Sequence, residues 1–406
     1  MKKKLTAISA TLCVCVLSLL GQNAFGAGFG LYEYSPRGNA MGGAVLAGEA
    51  EPASIAYNPA LITSLGGVQA QAAVTAITVD RVRVEFAGET SSPDKEWWFL
   101  PDFYYTQQLN EKWFVGLGGF TRFGLSGRYP DRTWAGAQAA NHGLYDVGIE
   151  SFSIQPTLGY KVTENLSAAI APEIMYFKFW EGTRVAANTD MDVSGDSWAM
   201  GGSLGAFYQA NDQVSFGAVY RHRIKQHLKG TSSVSGALAP YMTAYNTNAS
   251  GAVTLPAQLG LGVAVKLSPA VLLEFNWTNI FWSSFDELTI NLDGVGSSTS
   301  KKEWKDTYRI GFGIEYAVSK RVKLRNSYIF DKSPINSDYM DVIVPVDNRH
   351  IIGMGVGVDL GKGFYLDLGY NLLLSEGKSG VSESGIPVEY GNGVTHLSSA
   401  GVRYKF

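Results

Sequence analysis

The C-terminal half of the chain alternates apolar residues with polar or small ones at a period of two. Phe406, Tyr404, Val402, Ala400 and Ser398 share one face, and Lys405, Arg403, Gly401 and Ser399 share the other. Phe364, Leu366, Leu368, Tyr370, Leu372 and Leu374 alternate with Tyr365, Asp367, Gly369, Asn371 and Leu373. Ile352 to Leu360 and Tyr308 to Tyr316 repeat the pattern, with Gly, Arg, Asp or Glu between the apolar positions. Successive side chains of a strand point to opposite faces, so each run predicts a β-strand with one greasy side. Runs of about 9–11 residues with aromatics at the ends of the apolar face match strands that cross a membrane.

Carried along the chain, the pattern predicts strands at 68–80, 98–109, 113–126, 148–161, 166–180, 196–209, 213–230, 252–267 and 270–291. Five more fall at 302–317, 321–331, 346–360, 363–376 and 394–406, making fourteen. An even count suits a single-chain bacterial barrel. Half-buried strands of a soluble sandwich alternate as well, so the period alone does not choose between the two. Link lengths do. Ala317 to Lys320 and Leu360 to Gly363 are short, whereas 331–344 and 376–393 are long and polar. Outer-membrane barrels share this asymmetry of short turns at one end and long loops at the other. The expected fold is all-β: a 14-stranded antiparallel transmembrane β-barrel over 68–406. It is closed because lipid gives an open sheet edge no hydrogen-bond partner.

The start of the chain breaks this pattern. Lys2, Lys3 and Lys4 precede an apolar run from Leu5 to Leu20, and the small residues around Ala24-Phe25-Gly26 fit a cleavage site. Residues 1–26 read as a cleaved secretory signal peptide, short for a spanning helix and without a charged stop on the far side. Both cysteines, Cys13 and Cys15, fall inside it, so the exported chain is expected to carry no thiol and no disulfide. Charged residues make up 17% of the sequence, below the ~25% of ordinary soluble domains. A formal net charge of −3 gives no basic footprint for nucleic acid. Mean hydropathy near zero excludes a polytopic helical membrane protein but not alternating strands.

Fourteen strands enclose a lumen too wide for their own side chains to fill. Residues 27–67 do not alternate and are rich in turn formers, among them Pro36, Gly38, Gly42, Gly43, Pro52 and Pro59. They are a candidate plug, with a disordered periplasmic arm as the alternative. Arg221, Arg223, Arg309, Glu315, Arg321, Lys323 and Arg325 fall on inward positions, where they suit a polar plug or a water-filled pore equally.

Several short stretches carry a family resemblance. They are AGFGLYEYSPRGNAMGGA after the signal, Asn58-Pro59-Ala60-Leu61-Ile62, Leu100-Pro101, the Phe120 to Gly127 stretch and GDSWAMGGSLGAFY at 195–208. Leu255-Pro256, Trp304 to Ile310 and Phe330 to Pro334 continue the series. In their order and spacing the chain resembles the FadL family of outer-membrane transporters of hydrophobic compounds. The resemblance implies a fourteen-stranded barrel with an N-terminal hatch over 27–67, and passive uptake of long-chain fatty acids or related hydrocarbons. In that family a ligand is captured on outside loops, passed to an interior pocket and released sideways through the wall. Carried over to this sequence, Asn58, Pro59 and Ala60 shape the hatch. Arg122, Phe123 and Gly124 form an inward kink of strand three, and Gly205 faces the lateral opening. Ala27 and Phe29 line the pocket, and Lys301, Lys302 and Arg184 are candidates to meet a carboxylate. The resemblance also implies a monomer in the outer membrane of a Gram-negative-type envelope, surrounded by its lipid. A hydrophobic small molecule is the implied partner, and no cofactor is needed.

The residues support these roles independently, though less sharply. Asn58 before Pro59 favours a turn or a capped helix start, because Pro fixes φ and lacks an N–H. Gly124 within a strand weakens pairing and commonly marks a bulge. In a lipid-facing wall a bulge is tolerable only where the freed groups line a cavity or find partners. Leu238, Tyr241, Met242 and Tyr245, in a loop over 237–245, offer an apolar capture surface. A dry route has an energetic reason: at ~0.8 kcal/mol per CH₂, a chain of about sixteen carbons is ~12 kcal/mol less favourable in water than in oil. Enzyme chemistry is not expected. The five histidines show no zinc-ligand spacing, and no thiol survives export to act as a nucleophile, so no metal site is expected either. The competing function is a general or polar-solute porin, which needs an open aqueous channel.

Overall fold

Along the wall, side chains sort between lipid and lumen as the two-residue period requires. The computed structural model describes residues 28–129, 143–186, 188–345 and 347–406; the signal segment 1–26 and Ala27 lie outside the described residues. On β1 (Val68–Arg81), Thr75 and Ile77 are buried while Val74 is exposed. On β2 (Trp97–Gln108), Trp98, Leu100, Asp102 and Tyr104 are buried, and Trp97, Phe99, Phe103 and Tyr105 are exposed. So large an apolar exposed surface would be a liability in water. Facing lipid, it is the outer skin of the barrel.

The wall continues with β3 (Trp113–Phe120 and Gly124–Arg128), β4 (Gly143–Lys161), β5 (Leu166–Ala186) and β6 (Thr189–Gln209). Next come β7 (Val214–Arg221 and Ile224–Gly236) and β8 (Thr247–Leu255 and Gln258–Ser268). They are followed by β9 (Val271–Ile280 and Glu287–Leu292) and β10 (Gly296–Lys301 and Thr307–Ala317). The last four are β11 (Val322–Asp331), β12 (Arg349–Gly361), β13 (Phe364–Ser375) and β14 (Gly393–Lys405). They form a 14-stranded closed antiparallel barrel. Closure is made at β1, where Gln69 lies opposite Thr106 of β2 on one side and Lys405 of β14 on the other. Aromatic pairs mark two levels of the skin. Trp113–Tyr160 (4.5 Å) and Phe364–Tyr404 (4.4 Å) lie toward the short turns, and Tyr176–Trp198 (5.3 Å) and Tyr308–Phe330 (6.2 Å) toward the long loops. At the loop end, four short strands (Val84–Phe86, Glu89–Ser91, Lys378–Val381 and Pro387–Tyr390) make a separate small sheet.

Among the described residues five wall strands are interrupted, which corrects the continuous runs expected at 113–126, 213–230, 252–267, 270–291 and 302–317. The breaks fall at 121–123, 222–223, 256–257 and 281–286, with a fifth at 302–306 in β10. At 256 the cause is local, because Pro256 has no N–H to give the ladder. At 281–286 a 3-10 turn, Trp282–Ser284, carries Trp282 into the interior. The opposite error occurs at β5 and β6, expected over 166–180 and 196–209. Their hairpin runs on to Ala186 and Thr189, past the level where lipid enforces an apolar face, so the alternation fades before the strands end.

Residues 28–67 pack inside the ring. Ser35 caps α1 (Pro36–Ala40): its Oγ accepts from Gly38 N at 2.9 Å, and Pro36 sits at the first helical position. A short α2 (Ser54–Tyr57) precedes a 3-10 turn, Pro59–Ser64. Wall side chains satisfy the carbonyls of this segment, as buried backbone requires. Asn276 Nδ2 donates to Gly43 O (2.6 Å), Ser215 Oγ to Ala47 O (2.7 Å) and Asn371 Nδ2 to Asn39 O (2.9 Å). Inward wall glycines let the backbone come close. A Cβ on Gly217 would overlap the Leu46 carbonyl, and one on Gly313 would stand 2.6 Å from the Met41 oxygen.

Charge completes the seat. Arg37 (3.3 Å), Lys323 (2.9 Å) and Arg325 (2.7 Å) converge on Glu315, Arg325 also binds Asp367 (2.6 Å), and Lys323 also reaches Glu49. Arg221 donates to Ala56 O at 2.6 Å, and Arg309 lies 4.1 Å from the centre of the Tyr32 ring. Arg223 and Arg321, also expected inward, are exposed. Arg223 falls in the break of β7 and Arg321 in a short turn, where strand parity no longer fixes the facing side.

Candidate functional site

The interruption of β3 is stitched to the N-terminal segment. Leu31 N donates to Arg122 O at 2.7 Å, Gly124 N donates to Phe29 O at 3.0 Å, and Gly30 bridges Phe123. Backbone groups released from the ladder therefore find partners in residues 29–31. The break also opens a seam. β2 and β3 pair only where Phe103–Gln108 face Phe114–Gly119, and the second segment of β3 pairs with β4. Trp98 spans the seam, its Nε1 donating to Ser126 Oγ at 3.1 Å. Arg122 turns inward and binds Glu173 at 2.9 Å; Glu173 also accepts from Ser153 Oγ at 2.6 Å and lies 3.7 Å from Arg221. These buried charges hold the kink from inside, each compensated by a neighbour.

Phe29 enters an aromatic cage above this break. Its ring centre lies 4.8 Å from Trp282, 5.4 Å from Phe285 and 5.7 Å from Trp304, mostly edge-on, and 5.9 Å from Phe123. Trp282–Trp304 (5.0 Å) and Phe285–Trp304 (4.9 Å) close the other side. Edge-to-face packing of this kind stabilises each pair by ~0.5–1.5 kcal/mol beyond burial. Gly28 explains how the chain gets past the two tryptophans. With φ +63° and room for no side chain, its position would put a Cβ 2.7 Å from Trp304 and 2.8 Å from Trp282. Beside the cage, Phe29, Phe177, Phe179, Leu228, Val253 and Trp304 help line a cavity of about 30 Å³. That volume holds little more than a water or two, so a hydrocarbon enters only by moving side chains.

Leu288, Lys302, Asp341 and Ile343 line this cavity and also a larger groove of about 490 Å³ that opens among the loops. The groove lies within the ordinary range of ligand pockets, about 300–1,000 Å³. Lys302 is buried and paired with Asp341 at 2.5 Å. Asp341 is held in turn by Tyr390, whose hydroxyl donates to Asp341 O at 2.6 Å. Burial keeps the Tyr390 hydroxyl well above its ordinary pKa, so it stays protonated and able to donate. The other two candidate cations lie elsewhere. Lys301 is exposed on the groove, and Arg184 is spent on Asp190 (2.6 Å) in the β5–β6 hairpin. Of the loop residues, Tyr245 lines the groove, while Leu238 and Tyr241 are exposed and Met242 is half-buried.

Asn58, Pro59 and Ala60 are buried against the wall at a different place. Asn58 Oδ1 accepts from Ala60 N (3.2 Å), and its Nδ2 donates to Leu46 O (2.8 Å) and to Ala206 O of β6 (3.0 Å). Gly205 sits beneath this motif, where a Cβ would stand 2.5 Å from Asn58 Oδ1. Its place is therefore under the Asn-Pro-Ala turn and away from the β3 break, because its register opposite Ala169 and Val219 puts it nearer the short turns. Ala27 lies outside the described residues. Trp282, Phe285, Trp304, Asp341 and Glu173 were missed by sequence reading. The first three sit in strand breaks, where a run such as Phe281-Trp282-Ser283-Ser284-Phe285 abandons the two-residue period, and that lapse was the available clue.

Comparison with known proteins decides the family. The model of the outer membrane protein transport protein family (OMPP1/FadL/TodX) matches residues 17–406. The chain belongs to this family. FadL/TodX members are outer-membrane transporters of hydrophobic compounds, not enzymes, and this chain is an outer-membrane protein of that kind. It is 22% identical to a long-chain fatty acid transport protein of Escherichia coli O6:H1, over 91% of each chain. A 212-residue stretch is 29% identical to a Neisseria meningitidis protein, covering 47% of this chain and 45% of that relative. The solved structure of a Pseudomonas aeruginosa FadL homologue matches with a TM-score of 0.83 and 17% identity, covering 93% of this chain and 100% of that one. At that identity the FadL structure speaks for the shared fold alone.

Proposed function

We propose that hydrophobic small molecules, long-chain fatty acids or related hydrocarbons, are taken up passively by a three-stage route through this barrel. The loop groove captures the molecule, the aromatic cage receives it, and the seam between β2 and β3 releases it sideways into the membrane. Residues 28–67 act as a hatch that stays seated and keeps water out. One observation carries this reading: Phe29 lines the inner cavity while its own carbonyl and the Leu31 N–H close the break in β3. Filling the cage displaces Phe29, and displacing Phe29 loosens the bonds that shut the seam. Apolar cargo is thereby coupled to its own exit without crossing water, where each CH₂ costs ~0.8 kcal/mol.

The competing porin needs a continuous aqueous lumen, and the packed interior around Leu46, Met41 and Glu315 favours the plugged reading. Purified protein in planar bilayers separates the two: small, infrequent openings are expected, and a steady large current would reject the plug. Extraction of the same preparation with organic solvent, followed by mass spectrometry, is expected to yield a co-purifying hydrophobe.

A further inference from the structure

We infer that Asp341 makes the throat between groove and cage a filter against anions, so that the cargo is an uncharged hydrophobe. This rests on the pocket reading above and narrows its ligand. Lys302 is the one cation lining the inner cavity among the described residues, and it is already engaged. Its Nζ donates to Ser300 Oγ at 3.1 Å and to Asp341 Oδ2. Asp341 has little freedom to swing aside for an incoming carboxylate. Its Oδ1 accepts from Ile343 N at 2.8 Å, and its backbone N–H and C=O are both tied to the Tyr390 hydroxyl, at 3.2 and 2.6 Å. The remaining oxygen, Oδ2, is the one aimed at Lys302.

The rest of the groove does not supply the missing positive charge. Its lining holds three acids, Glu181, Asp341 and Glu383, against two bases, Lys301 and Lys302. Lys301 is exposed, its ammonium 6.0 Å from the centre of the Tyr339 ring and its backbone N–H on the Glu383 carboxylate at 3.1 Å, so its charge faces solvent and not the throat. A fatty-acid carboxylate arriving at the throat would meet Asp341 beside Lys302, the one cation lining the inner cavity among the described residues, whose charge Asp341 already offsets. An alcohol, ester or hydrocarbon meets no such opposition.

The test compares hexadecanol with hexadecanoate on the purified full chain, at about pH 9 where the acid is ionised. Binding is read by quenching of tryptophan fluorescence, to which Trp282 and Trp304 contribute. The alcohol is expected to bind more tightly by about tenfold or more, as a like-charge clash at the throat implies. Asp341→Asn keeps the acceptor for Ile343 N and frees Lys302, and is expected to shift the acid-to-alcohol affinity ratio toward the acid by about tenfold. Tighter binding of the acid to the unmodified protein would overturn the filter, without need of any variant. An unaltered acid-to-alcohol ratio in Asp341→Asn would overturn the assignment to Asp341. Absence of binding by either ligand would overturn the pocket reading itself.

Discussion

The interior of the barrel is held in two contrasting ways. On the side of β10, β11 and β13, the N-terminal segment is clamped by Arg37, Glu315, Lys323, Arg325 and Asp367, five charges in mutual contact and mostly buried. On the side of β3, the same segment is held by two backbone hydrogen bonds and the faces of Phe29, Phe123, Trp282 and Trp304. Ion clusters are demanding about geometry, since losing one partner strands the others without compensation. Aromatic packing is tolerant, and a hydrocarbon can replace one ring's contacts with its own. The difference teaches where motion belongs. The seat is polar and fixed; the cage is apolar and yields to apolar cargo.

The strongest way to break this contrast is at the seat. Glu315→Ala leaves Arg37, Lys323 and Arg325 without their common acceptor and is expected to destabilise the seated segment by about 3–5 kcal/mol. Limited proteolysis within 28–67 should accelerate and bilayer current should rise, while hydrophobe binding in the cage changes little; an equal loss of binding would erase the distinction. Next in size is Gly205→Glu. It forces the Asn58 cap off β6, at a local cost of about 1–3 kcal/mol. Uptake should fall by about tenfold with the heat-modifiable mobility of the barrel preserved, and full uptake would remove any role for this contact. Phe29→Ala sharpens the contrast from the cage side. Removing the ring that a ligand must displace, whose contacts are worth ~0.5–1.5 kcal/mol each, should tighten ligand binding by about tenfold without loosening the seat, as measured by titration and the same proteolysis. The smallest effect is expected at the loop. Tyr241 is 85% exposed, so Tyr241→Ser should alter uptake by less than about twofold, and a larger change would move the capture surface outward to it.

Much of this architecture is legible in the sequence because lipid imposes a strict rule. Val74, Phe103, Phe312 and Leu368 had to be apolar, and Thr75, Tyr104 and Asn371 were free to be otherwise, so strand count and register follow from parity. Inside, parity loses its authority. At the breaks 222–223 and 281–286, Arg221, Trp282 and Phe285 pack on a distant part of the chain, and no local period records that. The Asn58-Pro59 cap was visible because its causes are local: a side-chain acceptor and a missing N–H. Asp341 was not visible. A carboxylate in a long polar loop looks solvated until the fold brings Lys302 to it.

The most direct measurement locks the N-terminal segment to the wall at two points in turn with a disulfide, in a mature chain expected to carry no other cysteine. Gly30→Cys with Phe123→Cys staples the N-terminal segment across the break in β3, where the two residues already bridge. Thr63→Cys with Ser167→Cys staples the far end of the N-terminal segment to β5, away from the break, replacing hydroxyls that lie 2.8 Å apart. Hydrophobe uptake into outer-membrane vesicles is then compared before and after reduction. The expected result is that the first staple stops uptake until it is reduced, while the second leaves it intact. Uptake that continues through the first staple, or stops with the second, would contradict a seated hatch with release through the wall.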